Sequence, residues 1–218
     1  MHNNLLTILI PTFNRARFLD YSLGLHIGLF KKHSIQIVIF DNASTDDTEQ
    51  VVSQWAKNYE HLIYVKHREN IGGVLNFEYA LSYSKSKYVW MLGDTYEVDG
   101  TVIDFVLDTL SKNPDQYDVL MLNLGKRIKT QTADYSDQNF LLNDLGGLMT
   151  CIAVSIIKKD LVADNVLRRY RPVWFTHAAV ILEGISNRKF CIRWVQEKSV
   201  NGLIHPKLVK TNWSNTPK

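Results

Sequence analysis

Short apolar runs and longer amphipathic stretches alternate through the first half of the chain, separated by polar loops. Residues 5–10 read as a strand, and residues 16–30 as a helix with Phe18, Leu19, Leu23 and Ile27 on one side. Residues 35–40 form a second strand. Asp46 followed by Glu49 has the spacing of a capping box and opens a helix expected to run to about Tyr59. A third strand at 62–66, a third helix at 75–84 entered through Gly72-Gly73, a fourth strand at 88–92, a helix at 101–110 and a strand at 119–124 continue the series. Strand and helix alternating with short connections predict a mostly parallel sheet with helices on both faces.

The pattern loosens after Gly125. Residues 126–143 read as polar and irregular, 149–157 as a buried strand, 161–170 and 175–186 as helices, and 190–195 as a strand. Residues 201–218 read as a loosely held tail.

Composition narrows the class. The chain has 218 residues, 45% of them hydrophobic, enough for one domain with a full core. A net charge of +3 is mild and scattered, so no nucleic-acid partner is expected. Cys151 and Cys191 lie far apart in apolar surroundings and read as buried thiols of a reducing compartment. The first residues lack the basic and greasy regions of a signal peptide, and no apolar run is long enough to cross a bilayer. A cytoplasmic protein at the inner face of the cell membrane is the expectation, and the chain end, lacking a basic or amphipathic extension, suggests a shortened form.

The chemistry gathers where strands end, because ligands of open α/β sheets bind outside the carboxyl ends of the strands. The first strand runs into Pro11-Thr12-Phe13-Asn14-Arg15, and the second into Asp41-Asn42-Ala43-Ser44-Thr45-Asp46. Pro11 lacks an N–H and is expected to stop the ladder. No glycine stands in the first loop, which excludes a G-x-G-x-x-G dinucleotide turn and disfavours both an NAD-dependent oxidoreductase and a nucleotidyltransferase. Asp41 can accept the imide N–H of a uracil or a ribose hydroxyl. As alternatives, Asp41 begins an Asx turn and Ser44 and Asp46 are helix caps, with Asp46 and Asp47 read as structural. Asn70 and Gly72-Gly73 offer close backbone approach and helix-opening amides that attract anions.

This order of motifs, Pro-Thr-Phe-Asn-Arg, Asp-Asn-x-Ser-x-Asp, Asn-x-Gly-Gly and a strand ending in Gly93-Asp94, resembles family 2 glycosyltransferases with the GT-A fold. Sugar transferases of bacterial surface-polysaccharide and lipopolysaccharide or capsule synthesis, abequosyltransferase-like proteins among them, are the nearest kind. The resemblance covers residues 6–100 well and the remainder by general layout. It implies a single Rossmann-like domain, with residues 1–110 as the nucleotide-sugar half and 111–218 as the acceptor half and tail. It implies nucleotide contacts from Pro11, Thr12, Asn14, Arg15, Asp41, Asn70, Gly72, Asn76, Gly93 and Asp94. The implied activity is inverting transfer from a nucleotide-diphospho-sugar, with UDP as the expected carrier, to a hydroxyl of a glycan or lipid-linked acceptor.

The family carries a run of aspartates at Gly93-Asp94 that holds Mg²⁺ or Mn²⁺. Here Thr95 and Tyr96 stand where further carboxylates are expected, with Glu97 and Asp99 as substitutes. Three arrangements stay open: a metal held by Asp94 and a neighbour, metal-free neutralisation of phosphate by Lys or Arg, or an impaired, non-catalytic relative that binds a nucleotide or a partner. By layout, His177 is the candidate base, with Asp94 as the second catalytic residue and Glu183 as a weaker alternative to His177; packing is the competing role for His177. His205, Lys207 and Lys210 are candidates for a lid, and Trp174 and Trp213 for sugar stacking, against solvated tail charges and packing aromatics.

Overall fold

A computed structural model describes residues 3–113, 115–171 and 175–204. The described strands are β1 (Asn3–Thr12), β2 (Ile35–Asp41), β3 (Leu62–Lys66), β4 (Tyr88–Met91), β5 (Tyr96–Glu97), β6 (Val119–Leu124), β7 (Ala133–Tyr135), β8 (Ser155–Lys158) and β9 (Ile192–Gly202). The helices are α1 (Ala16–Lys32), α2 (Thr48–Ala56), α3 (Gly73–Tyr83), α4 (Gly100–Lys112), α5 (Gln138–Leu145), α6 (Asp164–Tyr170) and α7 (Thr176–Ile185).

The strands form one sheet in the order β3-β2-β1-β4-β8-β6-β9-β5, with β7 on β9. The longer pairings, β1 with β2 and β4, β2 with β3, and β6 with β9, are parallel; β8 and the short strands pair antiparallel. Alternation along the strands feeds two cores. Ile8, Ile10, Ile37, Ile39 and Trp90 face α1, α2 and α4, burying Leu19, Leu23, Val52 and Val106. Leu9, Val38, Phe40, Val89 and Met91 face the other side, against Leu81, Leu141, Val166 and Ile181. Both faces are covered, as a mostly parallel sheet requires.

Several expectations change. Pro11 does not stop β1: it pairs with Phe40, and Thr12 with Asp41. Leu9 turns its carbonyl to Leu92 on the β4 side, so Pro11, two residues on, lacks its N–H where β4 has already ended. The Asp46–Glu49 capping box does not form. Asp46 Oδ1 accepts from the Thr48 N–H at 3.1 Å at the start of α2, its Oδ2 accepts from the Ala16 N–H at 2.9 Å and ties the start of α1, and Glu49 pairs with Lys66 at 2.8 Å instead of reaching back. Residues 126–143 are not irregular throughout, because Asp137 caps α5 by accepting from Asn139 and Phe140. The strand expected at 149–157 shrinks to β8 behind two short 3₁₀ turns. The final strand is longer than expected and reaches Gly202. Trp174, His205, Lys207, Lys210 and Trp213 lie outside the described residues.

Candidate functional site

β6 and β4 both run antiparallel to β8, so β1, β4 and β6 end at one edge of the sheet. A cavity of about 280 Å³ opens there. Its floor is Pro11 from β1 and Gly93, Asp94, Thr95 and Tyr96 from the segment after β4. Gly73 and Phe77 of α3 form one wall; Thr150, Cys151, Phe175 and His177 form the other. Gly93 has φ +76°, a left-handed turn that a side chain would strain. A second cleft of about 320 Å³ lies between α3 and α6, lined by Leu75, Tyr79 and Arg168 among others, and includes none of the strand-end groups.

Asp94 is 1% exposed and fully engaged. Its Oδ2 accepts from the Thr12 hydroxyl at 2.9 Å and its Oδ1 from the Arg15 guanidinium at 3.1 Å. Burial pushes the Asp94 carboxyl up, against the opposing pull of Arg15 and Thr12. This donor set does not fit the divalent cation that the family resemblance implies. One carboxylate serves the site, a cation already sits on it, and Thr95 and Tyr96 supply no anion. Of the two substitutes, Asp99 caps α4 by accepting from Val102 N–H at 3.0 Å, and the Thr101 hydroxyl leads the effects that hold its carboxyl low. Glu97 lies on β5 against Asn201 and is absent from the cavity lining. Among the described residues no cluster of three His, Cys, Asp or Glu side chains could hold a metal ion.

Asp41 corrects a central expectation. It is fully buried; Oδ1 accepts from the backbone N–H and hydroxyl of Ser44, and Oδ2 from the Tyr64 phenol. Burial and this bond push the phenol up. Asp41 therefore shapes the loop rather than facing a base, so the Asx-turn alternative describes it. Asp41→Ala is expected to cost about 2 kcal/mol in urea unfolding, because it orphans buried donors. Unchanged stability with lost nucleotide affinity would restore the base-reading role.

Other predicted residues stitch the strand-end loops together. Asn14, at φ 50°, accepts from Thr45 N–H at 2.8 Å through Oδ1. The Asn42 amide, which sequence reading passed over, donates to Asn70 Oδ1 at 2.8 Å and accepts from Ile71 N–H at 2.9 Å. Asn70 also accepts from Gly72 N–H at 2.9 Å, with Gly72 at φ +85°. Asn76 donates to the Phe40 carbonyl at 3.1 Å and bonds His67 at 3.0 Å. Pro11, Gly93, Asp94 and His177 thus share the cavity, whereas Asn14, Asp41, Asn70, Gly72 and Asn76 set the adjacent loops and are absent from its lining.

His177 is buried, and its Nε2–H donates to the Met149 carbonyl at 3.0 Å. Burial lowers its pKa to about 4, so the ring is neutral at pH 7. The Cys151 thiol lies 3.5 Å from the Tyr96 hydroxyl. Burial and that contact raise the phenol. Cys151 read in sequence as an inert buried thiol; the 3₁₀ turns that bring it to the cavity left no periodic signal. Phe77 was legible in principle, four residues after Gly73 on the same face of α3.

The same fold occurs in solved glycosyltransferase structures. TarS 1–349 from S. aureus in complex with UDP-GlcNAc superimposes with a TM-score of 0.72 at 16% identity, over 98% of this chain and 62% of that one. A mannosyltransferase from Pyrobaculum calidifontis, in complex with GDP-Man and Mn²⁺, gives 0.61 at 14% identity, over 93% and 57%. The architecture is that of the GT-A glycosyltransferases. Residues 7–148, more than half of the chain, match the glycosyl transferase family 2 model, and the chain belongs to that family. It is 37% identical over 92 residues to abequosyltransferase RfbV of Salmonella typhimurium, covering 41% of this chain and 27% of the relative. It is 36% identical over 74 residues to validoxylamine A glucosyltransferase of Streptomyces hygroscopicus, covering 33% and 17%. The chain spans less than a third of the length of these two relatives. No helix among the described residues is long and apolar enough to cross a membrane.

Proposed function

We propose that this chain transfers a sugar from a nucleotide-diphospho-sugar, carried on UDP, to a hydroxyl of a glycan or lipid-linked acceptor in cell-surface polysaccharide synthesis. The observation that carries the reading is the strand-end cavity with Asp94 in its floor, a carboxylate that Thr12 and Arg15 hold from behind the lining. The nucleoside lies toward the Asn42–Asn70–Gly72 loops, and the diphosphate and sugar lie over the segment from Gly93 to Tyr96. The acceptor enters between Phe175 and Tyr96, on the cytoplasmic side of a membrane when it is lipid-linked.

Transfer with inversion forms a bond from the acceptor oxygen to the anomeric carbon as the bond from that carbon to the diphosphate breaks. The acceptor proton passes to a base and the electron pair to the leaving diphosphate. His177, neutral at the cavity wall, is the proposed base. Asp94 acts by fixing Arg15 and Thr12 under the reacting sugar.

Isothermal titration with UDP, GDP, CDP and dTDP tests the nucleotide site, with binding expected for at least one. Absence of binding to all four overturns the reading. The occupied carboxylate of Asp94 favours a second reading, a non-catalytic relative that binds a nucleotide or a partner. Release of free sugar from the bound donor separates the two, because an active transferase leaks sugar to water and a binding subunit does not.

A further inference from the structure

We infer that the donor's diphosphate is held by a preformed cationic turn, Gly125-Lys126-Arg127, at the end of β6, in place of a divalent cation at Asp94. The inference rests on the transferase reading and concerns how that site meets its phosphate charge.

The turn stands at the ligand edge, where β1, β4 and β6 all end. Its backbone is unusual. Gly125 and Lys126 both have φ +57°, and a lysine in the left-handed region persists only where its surroundings hold it. They do so here. The fully buried Asn123 accepts from Leu124 N–H at 2.9 Å and Ile128 N–H at 3.1 Å. Its amide donates to the Ile128 carbonyl at 2.9 Å and the Gln196 carbonyl at 3.0 Å. Gly125 N–H donates to the Val200 carbonyl at 2.9 Å, and Lys126 N–H to the Ser199 hydroxyl at 3.0 Å. One buried side chain and one strand therefore fix the turn from both sides.

Its two cationic side chains are exposed and have no carboxylate partner among the described residues. β9 links them to the cavity floor. After Val200 bonds Gly125, Gly202 pairs with Tyr96 and Leu203 N–H donates to the Thr95 carbonyl at 2.8 Å. Thr95 and Tyr96 are the residues that replace the expected carboxylates. The Arg127 charge reaches the Tyr96 phenol and works against the effect of burial there.

Charge decides between the two arrangements. A diphosphate ester brings negative charge that grows as the glycosyl bond breaks, and fixed cations stabilise it best where no reorganisation is needed. A dication at Asp94 would stand on a carboxylate already paired with Arg15. A guanidinium and an ammonium on a rigid turn supply the same charge and match phosphate oxygens directly.

The test uses the tightest binder of UDP, GDP, CDP and dTDP, together with its monophosphate, titrated in EDTA and again in Mn²⁺. The diphosphate is expected to bind in EDTA within about threefold of its affinity in Mn²⁺. Lys126→Gln with Arg127→Gln, and each single variant, should weaken the diphosphate by about tenfold or more for the pair, while the monophosphate changes far less. Both side chains are exposed, so melting curves should match wild type. Binding that requires Mn²⁺, or a double variant with unchanged diphosphate affinity, overturns the inference and leaves the transferase reading standing. Binding of no nucleotide under either condition removes both.

Discussion

Asp94→Ala is expected to destabilise the fold by about 3–5 kcal/mol, and to abolish nucleotide binding in whatever fraction stays folded. The carboxylate and its partner are enclosed, with side-chain exposures of 1% for Asp94 and 6% for Arg15. Deleting the anion leaves a buried guanidinium without the carboxylate at 3.1 Å, and takes the acceptor from the Thr12 hydroxyl. An uncompensated buried charge costs far more than an exposed pair contributes. Urea unfolding of Asp94→Ala, Arg15→Met and the double variant Arg15→Met/Asp94→Leu measures this. The double variant should recover much of the lost stability, because neither charge then remains alone. A single alanine variant within about 1 kcal/mol of wild type would show that water reaches the pair.

Acid should unfold the protein through its histidines. Burial lowers the pKa of both His26 and His177 to about 4 from 6.5. Below pH 6.5 the unfolded chain takes up protons that the folded chain refuses until about pH 4. Stability from these rings is therefore complete above pH 6.5 and is lost as pH falls toward 4, by about 3 kcal/mol for each histidine. Structure explains the preference at His26. Its Nδ1–H donates to the Ser22 carbonyl at 2.7 Å and its Nε2 accepts from Val98 N–H at 3.1 Å, so a second ring proton would face a donor. Asp94, with its carboxyl pushed up, works in the opposite direction on acidification. The comparison of variants is accordingly the diagnostic one. His26→Gln keeps an acceptor for Val98 and cannot titrate, so its unfolding free energy should fall less than that of wild type between pH 7 and pH 4.5. Equal slopes would mean that His26 opens to water before the fold is lost.

The first half of the chain was legible because each of its signals is local. Alternation of Ile8, Leu9 and Ile10 across two faces, and of Ile37, Val38 and Ile39 beside them, already implies a sheet covered on both sides. The strand ends then locate the cavity, and Pro11, Gly93, Asp94 and His177 do line it. Local signals failed where a side chain bonds across the fold. Asp46 accepts from Thr48 N–H at the start of α2, but its second oxygen serves α1, thirty residues earlier in the chain, and Glu49 turns to Lys66. Asp99, read as a substitute ligand, is spent on a helix cap, and Asp41, read as a ligand for the base, faces inward to Ser44 and Tyr64.

The amino-acid sequence by itself determined the α/β class, the strand ends at which the cavity opens and the family, since strand period, loop chemistry and motif order need no distant contact to be read. Tertiary structure alone decided which charges are free. Whether a carboxylate is available depends on the partners that folding brings to it, and Arg15 reaches Asp94 across 79 positions. The same holds for the turn at Lys126, whose left-handed backbone is held by Asn123 and by Ser199, 73 residues away. Local pattern sets the conformation of a segment, whereas desolvation and pairing set the electrostatics of a site, and these act through space.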